Sequence, residues 1–360
     1  EFEDLLLKTS EELAAKKGEM SPRQAEAYRL LEMGDKNGVL ELLPRDELLE
    51  DIRRNKRFAG NTTAPLETNV EEIATRITAL KMGELNGDTV AEIMMFYEEI
   101  YDICRDRFVG WSKLYDYASF LHDQRCYAKA IEVAEKLNWY YSAPDSKVDE
   151  YYLGRLYNLL GLLYEAQNKP KKAEKYCLDS IEIYERLTKK NADDYEPYLA
   201  GSYNDAGIFY DNQGKRDKAE KYYFDAIEVY KRLVKKNADA YEPDLADSYN
   251  NVGIFYSDHG QSDKAEKYYL DAIGIYERLV EKNADAYEPA LAVSYISYYF
   301  LKKDKTYLDK AYEIAKRRQD DPRCKIIVEY AESHKASLFF GKPQKRERLS
   351  RFFRPRNKKR

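Results

Sequence analysis

Histidine and cysteine are scarce in this 360-residue chain, which has three of the first and four of the second. His122, His259 and His334 stand far apart, and Cys104, Cys126, Cys177 and Cys324 form no CxxC pair, so neither a zinc site nor a disulfide framework is expected. These side chains read as packing or surface residues in a reducing cytosol, and no cofactor is expected. No stretch approaches the roughly 18 apolar residues of a membrane span, and the opening EFEDLLLKTSEELAAKK is amphipathic and acidic where a signal peptide would be apolar. A cytoplasmic protein without a transmembrane segment is expected. There is no Gly-rich phosphate loop, no HExxH and no GxSxG. The carboxylates of KAEKYY and EIYERL alternate with Lys and Arg, the pattern of a salt-bridged solvated face, so the chain is not expected to be an enzyme. It opens on Glu1 rather than Met and is read as a fragment of a longer protein.

What the chain does have is repetition. KKNADAYEP at 235–243 recurs as KKNADDYEP at 189–197 and EKNADAYEP at 281–289, and residues 198–243 and 244–289 align without gaps, agreeing at 32 of 46 positions. With 44% hydrophobic and 35% charged residues, the composition fits an extended repeat array, which has much surface per residue. Its 34 Tyr suit half-buried positions where a ring packs and a hydroxyl stays wet.

Each repeat reads as two amphipathic helices. Leu199, Tyr203, Ala206 with Gly207, and Tyr210 make one helical face, and Gly214 ends that helix in the left-handed conformation. Asp217 with Glu220 resembles a capping box opening the second helix, whose inner side carries Ala219, Tyr222, Tyr223, Ala226, Ile227, Tyr230 and Leu233. NADAYEP then reads as a corner: Asn237 a left-handed cap, Glu242 extended before proline, and Pro243 in the first turn of the next helix.

Residues 152–197 form an earlier copy, with Tyr157, Asn158, Gly161, Tyr164 and Ala173, and with Asn168 where Gly214 and Gly260 stand later. Residues 290–319 are a decayed last copy without a small residue after the first helix, and 111–141 a weaker relative. The expected division is an irregular N-terminal helical extension over 1–110, the array over 111–321, a capping helix over 322–341 and a basic, disordered tail over 342–360. GNTTAPLET, 60–68, is expected as a loop between subdomains.

Tyr203, Gly207, Tyr210, Ala219, Tyr223 and Ala226, repeated as Tyr249, Gly253, Tyr256, Ala265, Tyr269 and Ala272, resemble the tetratricopeptide repeat, and SYNNVGIFYSDHGQSDKAEKYYLDAI is similar to its kinesin-light-chain type. The resemblance covers about 111–319, with a 46-residue unit against the usual 34. It implies an all-α fold, a right-handed α-solenoid whose first helices line a concave groove for a peptide or protein partner. The groove residues it implies are Asn158, Asn204, Asn250 and Asn251, then Leu162, Ile208 and Ile254, then Glu165, Asp211 and Ser257. An Asn row serves either a ligand's backbone or a structural ladder between repeats, and both readings stand. Asp211 and Asp247 put negative charge where the family's basic clamp would be, so a basic or neutral partner is expected.

Lys342 to Arg360 contributes ten Lys or Arg and one Glu, leaving 50 basic and 64 acidic residues elsewhere. Such a tail fits nucleic acid, an anionic membrane, or the acidic body of its own or a neighbouring molecule, the last allowing a homo-oligomer. The resulting function is a non-catalytic protein-interaction module. The alternative is the sensor or regulatory arm of an enzyme or defence effector whose catalytic domain lies outside this chain.

Overall fold

Apolar residues recurring every three or four positions dictate helices, and among the described residues every regular element is an α-helix. The structure, a computed structural model, describes residues 21–58, 64–83, 85–107, 111–143, 148–319 and 321–340. The chain divides into two compact units: residues up to Asp149 with 162–169 in the first, 150–161 and the chain from Pro170 in the second. The tail over 342–360 lies outside the described residues.

The first unit holds α1 (Pro22–Glu32), α2 (Lys36–Leu42), α3 (Arg45–Phe58), α4 (Ala64–Lys81), α5 (Gly87–Arg107), α6 (Ser112–Asp123) and α7 (Tyr127–Tyr141). Ser21 opens α1 with a capping box, its hydroxyl accepting from the Gln24 N–H while its own N–H donates to the Gln24 side chain at 2.9 Å. Arg76 of α4, buried, ties the unit together. Its guanidinium donates twice to Glu92 at 2.6 and 2.9 Å and to the carbonyls of Leu40 and Leu43 at 3.0 and 2.7 Å, satisfying groups that the end of α2 leaves open. Of the loop expected over 60–68, residues 60–63 lie outside the described residues and the rest is helical, because α4 starts at Ala64 and takes Pro65 into its first turn, where a missing N–H costs nothing. The pair α6–α7, expected to open the array, clusters with this unit.

In the second unit helices alternate in long and regular hairpins: α8 (Glu150–Ala166), whose last turn belongs to the first unit, α9 (Pro170–Lys190), α10 (Ala192–Asn212), α11 (Arg216–Lys236), α12 (Ala238–Asp258), α13 (Ser262–Lys282), α14 (Ala284–Lys302), α15 (Lys305–Arg317) and α16 (Pro322–Phe340). Each of α9 to α15 packs on the next, and the first helices also touch one another, α10 on α12 and α12 on α14. This is a helical-repeat solenoid. α16 closes the series against α14 and α15. Helices of 21 residues, about 31 Å long, make the repeat longer than the usual one.

Every first helix ends the same way, whether or not glycine is there. Gly214 and Gly260 adopt φ of +69° and +70°, and Asn168 and Lys303 in the flanking copies adopt 54° and 60°. The N–H after Gly214 bonds back to Tyr210 at 2.8 Å, and its own to Asp211 at 2.9 Å, closing the last turn. Within a hairpin the two helices meet at glycine: a Cβ on Gly207 would lie 2.5 Å from the Tyr223 ring, and one on Gly253 2.6 Å from Tyr269.

The corner differs from its expected form. Asn237 is extended, at φ −150°, not left-handed; it caps the next helix, its side chain accepting from the Ala240 N–H at 3.2 Å. Glu242 and Pro243 then fall inside α12, which starts five residues earlier than the proline implies. The helix absorbs Pro243 because the lost bond falls on the carbonyl of Asp239, in the exposed first turn. Nor does Asp217 cap α11: that helix starts at Arg216 with no side-chain cap bond.

What fixes NADAYEP is the glutamate. Glu150, Glu196, Glu242 and Glu288, one per repeat, each accept hydrogen bonds from an arginine of their own hairpin's second helix: Arg186 at 3.2 Å, Arg232 at 3.0 Å, Arg278 at 2.8 Å, and Arg317 at 2.7 Å. Lys190, Lys236 and Arg318 add further bonds. This clasp overrides the extended preference of a residue before proline.

Candidate functional site

The asparagines named from the sequence are brought into one row, but within it they face their neighbours. Asn158 donates to Asp205 at 2.9 Å, Asn204 to the Ser248 hydroxyl at 2.8 Å, and Asn250 to the Ser294 hydroxyl at 2.7 Å. The serines in turn donate to the carbonyls of Asp244 and Ala290, one turn earlier. The amides therefore run as a ladder from α8 to α10 to α12 to α14, on side chains rather than the backbone partners a ladder reading implies. Asn158, Asn204, Asn250, Asn251, Ile208 and Ile254 are at most 4% exposed. Leu162, Glu165, Asp211 and Ser257 are half-buried, nearer the ends of the same helices.

A ladder uses only half of each amide. Asn204 Oδ1 and Asn250 Oδ1 are buried and have no hydrogen-bond donor among the described residues, and the same holds for Ser297 Oγ on α14. Buried acceptors without donors are rare in native interiors, where over nine in ten polar groups find a partner. Two of the three sit one repeat apart. The row thus keeps two amide oxygens, one repeat apart, closed off from solvent and without a donor among the described residues.

On its two middle helices the charge is of one sign. α10 and α12 together carry ten Asp or Glu and no Lys, Arg or His, whereas the cations of the repeats sit on the second helices α9, α11 and α13. Four of the ten, Asp193, Glu196, Asp239 and Glu242, meet those cations at the corners. Asp205, Asp211, Asp244, Asp247 and Asp258 lie further along. Asp247 accepts from the Tyr276 hydroxyl at 2.5 Å, and burial, then this carboxylate, pushes that phenol well above its ordinary range. Asp211 is approached by His259 Nε2 at 3.7 Å, a contact that becomes an ion pair when the ring is protonated.

The tyrosines pack inward, and their hydroxyls join successive hairpins. Tyr210 donates to Glu174 at 3.0 Å, Tyr256 to Glu220 at 2.5 Å and Tyr298 to Glu266 at 2.9 Å. One feature escapes a reading of single positions: Leu178, Phe224 and Leu270, at 37%, 37% and 42% exposure, form an apolar row on the second helices, each one repeat from the next. Their common place in the 46-residue alignment was the available signal. Among the described residues no cluster of His, Cys, Asp or Glu can hold a metal ion, and no helix is long and apolar enough to cross a membrane. Three of the four cysteines are buried, and burial pushes the Cys104 thiol up to about 12.

Paired helices, a left-handed turn between them and glycine at their closest approach define a helical-hairpin repeat protein. Residues 153–191, 199–237 and 245–283 each match the tetratricopeptide repeat. No curated protein sequence matches the chain. Solved structures similar to it include the apo form of RapI, at 14% identity and a TM-score of 0.53, covering 88% of this chain and 86% of that one. A Rap protein complexed with competence and sporulation factor is similar at 17% identity and a TM-score of 0.48, with 88% and 80% covered. BtubC from P. vanneervenii is similar at 19% identity and a TM-score of 0.37, with 84% and 93% covered. The likeness to RapI concerns the fold alone.

Proposed function

We propose that the repeat array is a non-catalytic interaction module that takes up a peptide or protein partner along the row shared by its first helices. One observation carries this reading: α10 and α12 combine ten carboxylates and no cation with a register of amide acceptors. Carboxylates and amide oxygens accept hydrogen bonds, so the fitting partner supplies donors, as a basic or neutral segment with exposed N–H groups does. A ligand ending in a carboxylate is disfavoured by the same charge. Asp211 and Ser257, half-buried, form the accessible end of the row, and Asn158, Asn204, Asn250 and Asn251 its interior.

The test is the full chain carrying Asn204→Ala with Asn250→Ala, used as bait beside the unchanged chain. With the circular-dichroism melting curve showing a folded array, captured partners should fall at least about tenfold, the loss of one or two charge-assisted contacts. A folded double variant that captures the same set at the same yield rejects the reading.

A further inference from the structure

We infer that this chain pairs with a second copy of itself through the exposed face of its second helices α9, α11 and α13, with the two-fold axis running along the row Leu178, Phe224 and Leu270. The contact uses helices other than those of the row proposed above and does not depend on that reading. Leu178, Phe224 and Leu270 stand at one position of the 46-residue repeat and are exposed on all three helices. Tyr268, half-buried, joins Phe224 across the step from α11 to α13, their ring centroids 6.3 Å apart. A helix face that met only water would carry polar residues at this position too. A row of apolar side chains repeated at equal steps meets the first requirement of an isologous contact, that the surface fit its own copy.

Charge selects the occupant and its orientation. Residues seven and three before the apolar position, and four and seven after it, lie on the same helical stripe, about 4.5–10.5 Å away along the axis. On α9 these are Lys171, Lys175, Glu182 and Glu185, all exposed, so the stripe is positive before Leu178 and negative after it. With the axis along the row, the helices of the two copies face each other antiparallel. Lys175 then meets the copy's Glu182, and Lys171 its Glu185. On α11 the inner pair recurs, Lys221 against Glu228, while the outer pair has both signs reversed, Asp217 against Lys231, and is complementary again. α13 contributes less: Lys267 faces Gly274, and Asp263 faces Glu277, the one like-charged pair against four of opposite sign. An axis along the helices would instead set each of the four α11 charges on its own counterpart, all repulsive. Lys175 and Lys221 already bond within their helices to Asp179 at 3.0 Å and Asp225 at 3.3 Å, and Glu185 accepts from the Tyr203 hydroxyl at 2.8 Å. An ammonium with three donors, or a carboxylate with about four acceptor sites, still serves a second partner. Three apolar side chains make a small centre, so the dimer has a dissociation constant on the order of micromolar.

The experiment is sedimentation equilibrium of the full chain from about 1 to 500 µM, beside full chains carrying Phe224→Asp, Lys221→Glu, Glu228→Lys, and the last two together. Every change falls at an exposed site, and a circular-dichroism melting curve checks that each variant is folded. The unchanged chain should pass from monomer to dimer across this range. Phe224→Asp should raise the dissociation constant at least about tenfold, and each single charge reversal about threefold or more. The double reversal should bring it back, because opposite signs again face each other across the axis. Loss of the internal Lys221–Asp225 bond is common to Lys221→Glu and the double variant, so the recovery reports the contact between copies alone. Leu178→Cys should form a disulfide-linked dimer by itself when oxidised with diamide, since Leu178 meets its own counterpart, and the unchanged chain should not. A chain that stays monomeric throughout, a dimer that Phe224→Asp leaves intact, or charge reversals without recovery overturns the inference. So does a Leu178→Cys chain that cross-links only when mixed with a Leu270→Cys chain, which would turn the axis parallel to the helices.

Discussion

The presence or absence of glycine matters differently at three places in the repeats, and each predicts its own response to substitution. At Gly207 a methyl would sit 2.5–2.9 Å from three atoms of the buried Tyr223 ring, so Gly207→Ala should destabilise by about 1–3 kcal/mol in urea unfolding, as overpacking does. At Gly274, inside α13, a Cβ meets nothing within 4 Å. Here Gly274→Ala should stabilise by roughly 0.5–1 kcal/mol through helix propensity alone. At the turn after α14 the left-handed residue is Lys303, with φ of 60°. Lys303→Gly should gain about 1 kcal/mol there, the cost that a side chain adds to that conformation. The three substitutions, two from glycine and one to it, thus separate by sign, and one instrument measures all three.

At the scale of the element, the corner glutamates decide how a hairpin closes. Glu196 has a side chain only 9% exposed and draws on both Arg232 and Lys236, while Glu150, at 42%, draws on Arg186 and Lys190 nearer to water. Glu196→Gln should therefore cost roughly 1–2 kcal/mol and Glu150→Gln less than about 1, since screening weakens exposed pairs. The same clasps set the acid limit. Hydrogen bonds from Arg186 hold Glu150 below its usual carboxylate range; burial raises Glu288, but bonds from Arg317 and Arg318 outweigh it and leave it lowered. A folded-state pKa below the unfolded value means stability that is present above about pH 4.3 and is lost as pH falls further. The thermal midpoint should be level from pH 7 to 5 and drop below pH 4. A midpoint that already falls at pH 6 would show that other groups govern the acid transition.

Across the whole molecule, tyrosine sets the alkaline limit as glutamate sets the acid one. Burial, then Asp271 and Tyr268, pushes Tyr249 up to about 12, and burial with the bond to Glu266 pushes Tyr298 up to about 12. Phenols that ionise near pH 10 when unfolded and later when folded stabilise the fold below that value and cease to do so as pH rises through it. Absorbance at 295 nm at pH 11 should show fewer tyrosinates in the folded chain than in urea, and unfolding free energy should decline above pH 10. The two helices per repeat, their inner tyrosines and the left-handed turn at Gly214 were all legible in the sequence, because each depends on spacing and on the conformational range of one residue. The corner was misread at Asn237, Glu242 and Pro243 because local preference pointed one way and the clasp to Arg278, 36 residues on, pointed the other. The row of asparagines was likewise visible as a row, but not its commitment to Ser248 and Ser294, nor the carbonyl oxygens left over. Repetition by itself determined that this protein is a stack of helical hairpins, since period and side-chain type survive in one dimension. Which groups of those hairpins bond to a neighbour, and which still await a donor, only the stacking decided, because it brings together residues 44 to 47 positions apart that no local rule relates.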